Sequence, residues 1–188
     1  MLMLLAALQS EYGVPDPQQL EGLMAGLAAG DRESLAQLYH RTRAAVYGLA
    51  LSILGSGHDA EDVTQTVFLK LMEKQPELEP GKERAWLLQV TANECRSLYR
   101  WLRRRSTVSL DEALAVAAPE YTPLLTHVMQ QRPKDRAVLY LFYYEGFSTE
   151  EIGRMLHTSQ SAVTTRLHRA RKTLKATLEQ EGYYETGL

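Results

Sequence analysis

The sequence predicts an all-α protein built from two small helical domains, and three observations carry that prediction. Apolar residues recur at three- and four-residue spacing through nearly the whole chain. No window shows the sustained two-residue alternation of branched and aromatic residues that a strand needs. Between residues 106 and 123 the periodicity lapses into small residues, acids and two prolines, the composition of a flexible interdomain linker. The chain of 188 residues, 45% of them apolar, is long enough for two small cores. The expected layout is an extension over 1 to 19, a first domain over 20 to 105, the linker, a second domain over 124 to 180 and an acidic tail over 181 to 188.

The elements follow in order. Leu20, Leu23, Met24 and Leu27 mark a short helix ended by Gly30, and Leu35, Leu38, Thr42, Val46, Leu49 and Ile53 mark a longer one stopped at Gly55. Asp59 is the expected cap of the next helix, which should run to about Lys74 with Val63, Val67 and Leu71 inward. Residues 75 to 82, with two prolines, a glycine and acids, read as a loop. A long helix follows from about Arg84 to Arg105. Leu87, Thr91, Cys95, Leu98 and Leu102 form its buried stripe, and Gln89, Asn93, Arg96, Arg100 and Arg103 form an outward one. Trp86 is expected in the core.

In the second domain Pro133 suits the first turn of a helix that Gly146 ends. Ser148-Thr-Glu-Glu151 is a capping box opening a short helix with Ile152 and Leu156. His157 and Thr158 make a turn, and Ser159 caps a second helix whose buried stripe is Val163, Leu167, Ala170, Leu174 and Leu178. Its opposite face carries Ser161, Thr164, Thr165, His168, Arg169 and Lys172.

Net charge is only -2, but its division is uneven. Residues 131 to 178 carry nine bases against four acids, while 1 to 30, 106 to 130 and 179 to 188 carry three acids each and no base. Basic charge is thus concentrated in two helices. The single cysteine, Cys95, precludes a disulfide framework within the chain and suits a reducing, cytoplasmic setting, with no Cys or His spacing that resembles a metal site. On the buried stripe Cys95 reads as a small core residue. Residues 1 to 8 are apolar, yet lack a basic flank and the roughly 20 residues needed to span a bilayer, so neither a signal peptide nor an integral membrane segment is expected.

A short capped helix, a tight turn and a basic second helix make a helix-turn-helix, whose second helix enters the major groove with its N-terminal half at base edges. Ser and Thr reach bases or phosphates, Arg donates two bonds to guanine, and Arg and Lys further along neutralise phosphates.

These residues resemble a known family. Phe142-Tyr-Tyr-Glu-Gly-Phe-Ser-Thr-Glu-Glu-Ile-Gly153 and Ala162-Val-Thr-Thr-Arg-Leu-His-Arg-Ala-Arg171 resemble the promoter-reading carboxy-terminal domain, region 4, of extracytoplasmic-function sigma factors of the sigma-70 family. His58-Asp-Ala-Glu-Asp-Val-Thr-Gln65 and Val67-Phe-Leu-Lys70 resemble the polymerase-binding helix of region 2. Ala85-Trp-Leu-Leu88 and Asn93, running into the arginines 100 to 105, resemble its promoter-opening element. Three motifs in the family's order, over about residues 31 to 178, are far more specific than any one.

The resemblance implies a transcription initiation factor that is not an enzyme, needs no cofactor or metal, and takes no small-molecule substrate. It implies that Asp62, Gln65, Thr66 and Leu69 face the clamp of the largest subunit, beta-prime, of core RNA polymerase, and that the second domain sits on the flap of beta. Asn93, Arg96, Arg100, Trp101, Arg103 and Arg104 would hold the melted minus-10 element of promoter DNA, with the 75 to 82 loop walling a pocket for a flipped base. Ser161, Thr164, Thr165, Arg166, His168, Arg169, Arg171 and Lys172 would read the minus-35 element. A dedicated anti-sigma protein is a further expected partner. The chain departs from the family's usual residues at Thr66, Ala92, Ser97 and the Ser161-Ala162 pair, which retunes contacts without breaking the scaffold. The alternative is a helix-turn-helix regulator that does not join polymerase, and the acid-rich helix 59 to 74 speaks against it. An enzyme built on His58, Asp59, Glu61 and Asp62 is disfavoured, since a helix start already accounts for those acids.

Overall fold

A computed structural model describes residues 16–105 and 127–180, so the linker, the acidic tail and most of the amino-terminal extension lie outside the described residues. The first unit is α1 (Pro17–Ala28), α2 (Arg32–Leu54), α3 (Gly57–Lys74) and α4 (Glu83–Arg105). The first helix starts at Pro17, inside the stretch expected to be extension, because Asp16 caps it by accepting from the Gln18 N–H at 3.0 Å. Asp31 caps α2 by accepting from the Glu33 and Ser34 N–H groups, and those bonds with the Ser34 hydroxyl hold its carboxyl below the usual range. The cap of α3 is Ser56, not Asp59: the Ser56 hydroxyl accepts from the Asp59 N–H at 3.3 Å, which places Asp59 in the first turn.

Leu38, Val46, Ala50, Val63, Val67, Leu71, Leu87 and Cys95 form the first core, with Trp86 and Leu98 half-buried against it. Thr42, Thr64 and Thr91 lie on inward faces and donate their hydroxyls to the Leu38, Ala60 and Leu87 carbonyls, so no buried hydroxyl is stranded there. Burial pushes the Cys95 thiol up to about 12, as suits a packing residue. The side chains of Leu102 and Arg103 lie outside the described residues.

The second unit contains α5 (Pro133–Leu139), α6 (Thr149–Leu156) and α7 (Gln160–Gln180). The single helix expected from Pro133 to Gly146 gives way after Leu139 to a π-helical turn, Tyr140–Tyr144, which Glu145 closes by donating its N–H to the Tyr140 carbonyl at 3.1 Å. Such turns insert one extra residue and frequently sit at functional places.

The capping box of α6 forms as expected. The Glu151 N–H donates to the Ser148 hydroxyl at 3.3 Å, and the Ser148 N–H donates back to the Glu151 carboxylate at 2.9 Å. These bonds, the Ser148 hydroxyl's first, hold the Glu151 carboxyl below the usual carboxylate range. A lowered folded value contributes stability above the ordinary Glu value of about 4.3, lost as pH falls through the lowered one. Ser148→Ala is therefore expected to cost about 1 kcal/mol at neutral pH. The cost should shrink in acid, as urea unfolding across pH will show.

The two units are not beads on a string. Ala45 and Leu49 of α2 and Leu88 and Ala92 of α4 share one core with Val138, Leu141, Ile152, Met155, Val163 and Leu167 of the second unit.

Candidate nucleic-acid interface

The helix-turn-helix is built by α6, the 157–159 turn and α7. Ile152 and Met155 pack with Val163, Leu167 and Ala170, which fixes the pair of helices as one body. Leu174 and Leu178 are also buried, so the whole predicted stripe faces inward. His157 ends α6 in the left-handed region with φ 50, and the Thr158 N–H donates to the Gly153 carbonyl at 2.9 Å. A Cβ on Gly153 would lie 2.9 Å from the Thr158 carbonyl oxygen, so the turn folds against the helix where only glycine fits. Ser159 caps α7 by accepting from the Ala162 N–H at 3.2 Å.

Of the residues expected at the minus-35 element, Ser161, Thr164, Thr165, His168, Arg169, Arg171 and Lys172 are exposed, and Arg166 is half-buried. Thr164 and Thr165 donate their hydroxyls back to the Gln160 and Ser161 carbonyls, which leaves oxygen lone pairs for a donor on DNA. Two arginines are partly engaged inside the protein. Arg169 reaches the buried Asp135 carboxylate at 3.2 Å, and Arg171 donates to the Leu167 carbonyl while lying over the Tyr143 ring. Asp135 was legible only as an acid near a helix start; its tie to Arg169 crosses two helices.

The outward stripe expected on α4 is outward only at its far end. Arg100, Trp101 and Arg104 are exposed, Trp101 by 42%. Asn93 and Arg96 instead face the second unit: Arg96 donates to the Asn93 side-chain oxygen at 2.8 Å and to the Leu156 carbonyl at 3.2 Å. The His157 ring nitrogen Nε2 stands 3.2 Å from the same Asn93 oxygen. The structure therefore brings Asn93 together with Arg96 but does not present both as a free surface.

On α3 the other expected surface is open. Asp62, Gln65 and Leu69 are exposed and Thr66 is half-buried, while Val63, Val67 and Leu71 on the opposite side are buried. Leu69 is 58% exposed and Met72, one turn further on, 46%. The sequence reading missed Met72, although an apolar residue outside the buried stripe was the available signal. Lys70 binds Glu94 at 2.6 Å and so ties this helix to α4 beside Asn93. At the start of α3, His58 Nδ1 lies 3.3 Å from the Asp62 carboxylate with Asp59 alongside. The positive end of the helix accounts for these acids, of which Asp62 is exposed and Asp59 half-buried.

A helix-turn-helix behind a four-helix unit with an arginine-rich outer helix is the build of a DNA-binding transcription protein. The family pattern of Sigma-70 region 2 matches residues 38–106, and that of Sigma-70 region 4 matches residues 132–174. The chain is similar to the RNA polymerase sigma factor CarQ of Myxococcus xanthus, at 30% identity over 159 residues, 79% of this chain and 91% of CarQ. It is similar to the extracytoplasmic-function (ECF) RNA polymerase sigma factor SigE of Mycolicibacterium smegmatis, at 30% identity over 79% of this chain and 64% of SigE. A probable RNA polymerase sigma factor RfaY of Xanthomonas campestris is 31% identical over 81% of this chain, which spans only 42% of that protein. Among solved structures, CnrH in complex with the cytosolic domain of CnrY matches with a TM-score of 0.62, at 27% identity over 88% of this chain and 99% of CnrH. The sigma factor RpoE, in complex with the anti-sigma factor NepR from Bartonella quintana, shares the fold with a TM-score of 0.60, at 23% identity over 77% of this chain and 96% of RpoE.

The chain belongs to the sigma-70 family of RNA polymerase sigma factors, in its extracytoplasmic-function branch. Proteins of this family are initiation factors, not enzymes. Among the described residues no helix is long and apolar enough to cross a membrane.

Proposed function

We propose that this chain binds core RNA polymerase in the cytoplasm and directs it to specific promoters. The second unit reads the minus-35 element through α7, and the first unit reads and melts the minus-10 element through Asn93 and the arginines of α4. The single observation that carries this reading is the presence, on one chain and in the family's order, of a capped helix-turn-helix behind a region 2 unit whose α3 exposes Leu69 and Met72 beside Asp62 and Gln65. A repressor that acts on DNA alone has no use for that second surface. Asp62, Gln65, Thr66 and Leu69 are assigned to the beta-prime clamp, and the second unit to the beta flap. CnrH, 27% identical, is seen with the cytosolic domain of CnrY. That likeness supports a dedicated inhibitory protein as a further partner of this chain.

The test is in vitro transcription from a promoter library with core polymerase, with and without the protein. Start sites that depend on the protein are expected. Arg169→Ala is a poor probe of base reading, because it would leave the buried Asp135 carboxylate unpaired. His168→Ala is cleaner, since the side chain is exposed on the reading face, and it should relax base preference upstream by about 1 to 3 kcal/mol. Lys172→Ala should weaken binding to all sequences alike and lower the salt slope by about one. Binding to duplex without any protein-dependent start site would leave only the regulator that does not join polymerase.

A further inference from the structure

An acid holds one arginine of the reading helix from behind. Asp135 stands in the first turn of α5, which packs on α7 through Val138, Leu167 and Ala170. Its side chain is only 4% exposed, and its carboxylate accepts from the Arg169 guanidinium at 3.2 Å, while the arginine side chain stays 52% exposed. The pairs Glu150–Arg154 on α6 and Lys175–Glu179 on α7 are of another kind. They join residues four apart with both partners in solvent, where an ion pair contributes little. Asp135 and Arg169 lie 34 positions apart on two helices, and the acid end is inside the protein.

A helix start accounts for an acid in its first turn, but not for the burial of that acid. An exposed carboxylate would serve the positive end of α5 equally, without the loss of hydration that burying a charge entails. What the burial achieves is a guanidinium fixed on the reading face. Arg169 sits about 2.5 turns into α7, and helical side chains lean back toward the amino terminus, which directs its fork toward the turn of Thr165 and Arg166. An unrestrained arginine loses much rotamer freedom on binding. This one is already held through one of its five N–H groups, and with half the side chain exposed, donors remain for a partner.

The carboxylate also decides which partner. Attraction to a phosphate depends on net charge, and a carboxylate at 3.2 Å offsets much of it. Directed N–H bonds to a base edge survive that offset, and a pair of them matches the O6 and N7 of guanine. We propose that Asp135 is a positioning residue that determines specificity: it holds the Arg169 guanidinium for a guanine edge in the minus-35 element and withholds it from phosphate. The inference rests on the promoter-reading function proposed above.

The test uses holoenzyme assembled from core polymerase and the full chain, on a library promoter substituted singly through its upstream element, over a range of salt. The parent should favour guanine at one upstream position by about tenfold or more. Asp135→Asn should cut that preference about fivefold and leave the other positions unchanged. Binding to promoters with a scrambled upstream element should hold or rise, and fall more steeply with salt, because Arg169 regains its full charge. In Asp135→Asn combined with Arg169→Ala, the preference at that position should vanish with the others kept, and the steeper salt dependence should go with it.

A loss spread evenly over every upstream position, with a lowered melting temperature, would overturn the proposal and leave Asp135 a packing residue. So would a parent indifferent to guanine, an unchanged preference in Asp135→Asn, or a guanine preference that survives in the double variant. If Asp135→Asn loses helical circular dichroism, Asp135→Glu decides, since it keeps the charge but moves it by one methylene. Its preference should fall at that position alone with the salt dependence unchanged, and an unaltered or evenly lowered preference overturns the proposal. No protein-dependent start sites from the parent would instead refute the functional reading. Gel shifts of the same duplexes by the full chain then still show whether Asp135→Asn broadens base choice.

Discussion

Arg136→Ala is expected to lower stability by about 3 kcal/mol and to split one unfolding transition into two. The guanidinium is buried and donates to four backbone carbonyls: Ser52 and Ile53 at the end of α2, and Met129 and Gln131 at the entry to α5. A helix's last carbonyls carry its negative pole, so a cation is well placed there. Removing it strands several buried acceptors, each worth about 1 to 3 kcal/mol when left without a donor. It also cuts a tie between the units, so they should melt separately where the parent melts as one cooperative body. Lysine would recover only part of the loss, because a single ammonium cannot bridge two separate runs of carbonyls. Urea unfolding followed by circular dichroism and by tryptophan fluorescence checks both statements: Trp86 and Trp101 both belong to the first unit, so the two probes should separate in the variant.

Gly153→Val should remove upstream promoter reading more completely than any exposed substitution on α7. The branched side chain would start 2.9 Å from the Thr158 carbonyl oxygen, a backbone atom that cannot rotate away. Opening the turn breaks the Thr158 N–H bond to the Gly153 carbonyl and tilts α7 against Ile152 and Met155. Overpacking of this kind costs about 1 to 3 kcal/mol, and the second unit must bear it locally. Gly153→Ala should show a milder form of the same defect. Thermal unfolding, with gel shift on a selected promoter duplex, measures the two effects, and an unshifted melting temperature with intact duplex binding would show that the turn tolerates a Cβ.

Much of the site was readable residue by residue because its causes are local. The Ser148 capping box, the Ser159 cap, the Val163 to Leu178 stripe and the inward Val63, Val67 and Leu71 of α3 depend on neighbours three or four positions away, and each appears as expected. Errors at this level were small. Ser56 displaced Asp59 as the cap because its hydroxyl accepts from the Asp59 N–H and so starts the helix at Gly57, and α1 began early because Asp16 and Pro17 together make a start signal.

What the sequence alone determined, then, is the helical class, the two units and the motifs that assign the chain to its family, since periodicity, capping and turn chemistry are encoded within a few residues. The tertiary structure decided how the units meet: that Gly48 is a seat for Tyr140, that Glu145 and Arg136 reach across the units, that Arg169 is held by Asp135, and that Asn93 and Arg96 face protein where an outward stripe was expected. Those partners lie from about 30 to more than 90 positions apart along the chain. No local pattern records such a pairing, because only the packing of a shared core brings the groups within hydrogen-bonding distance.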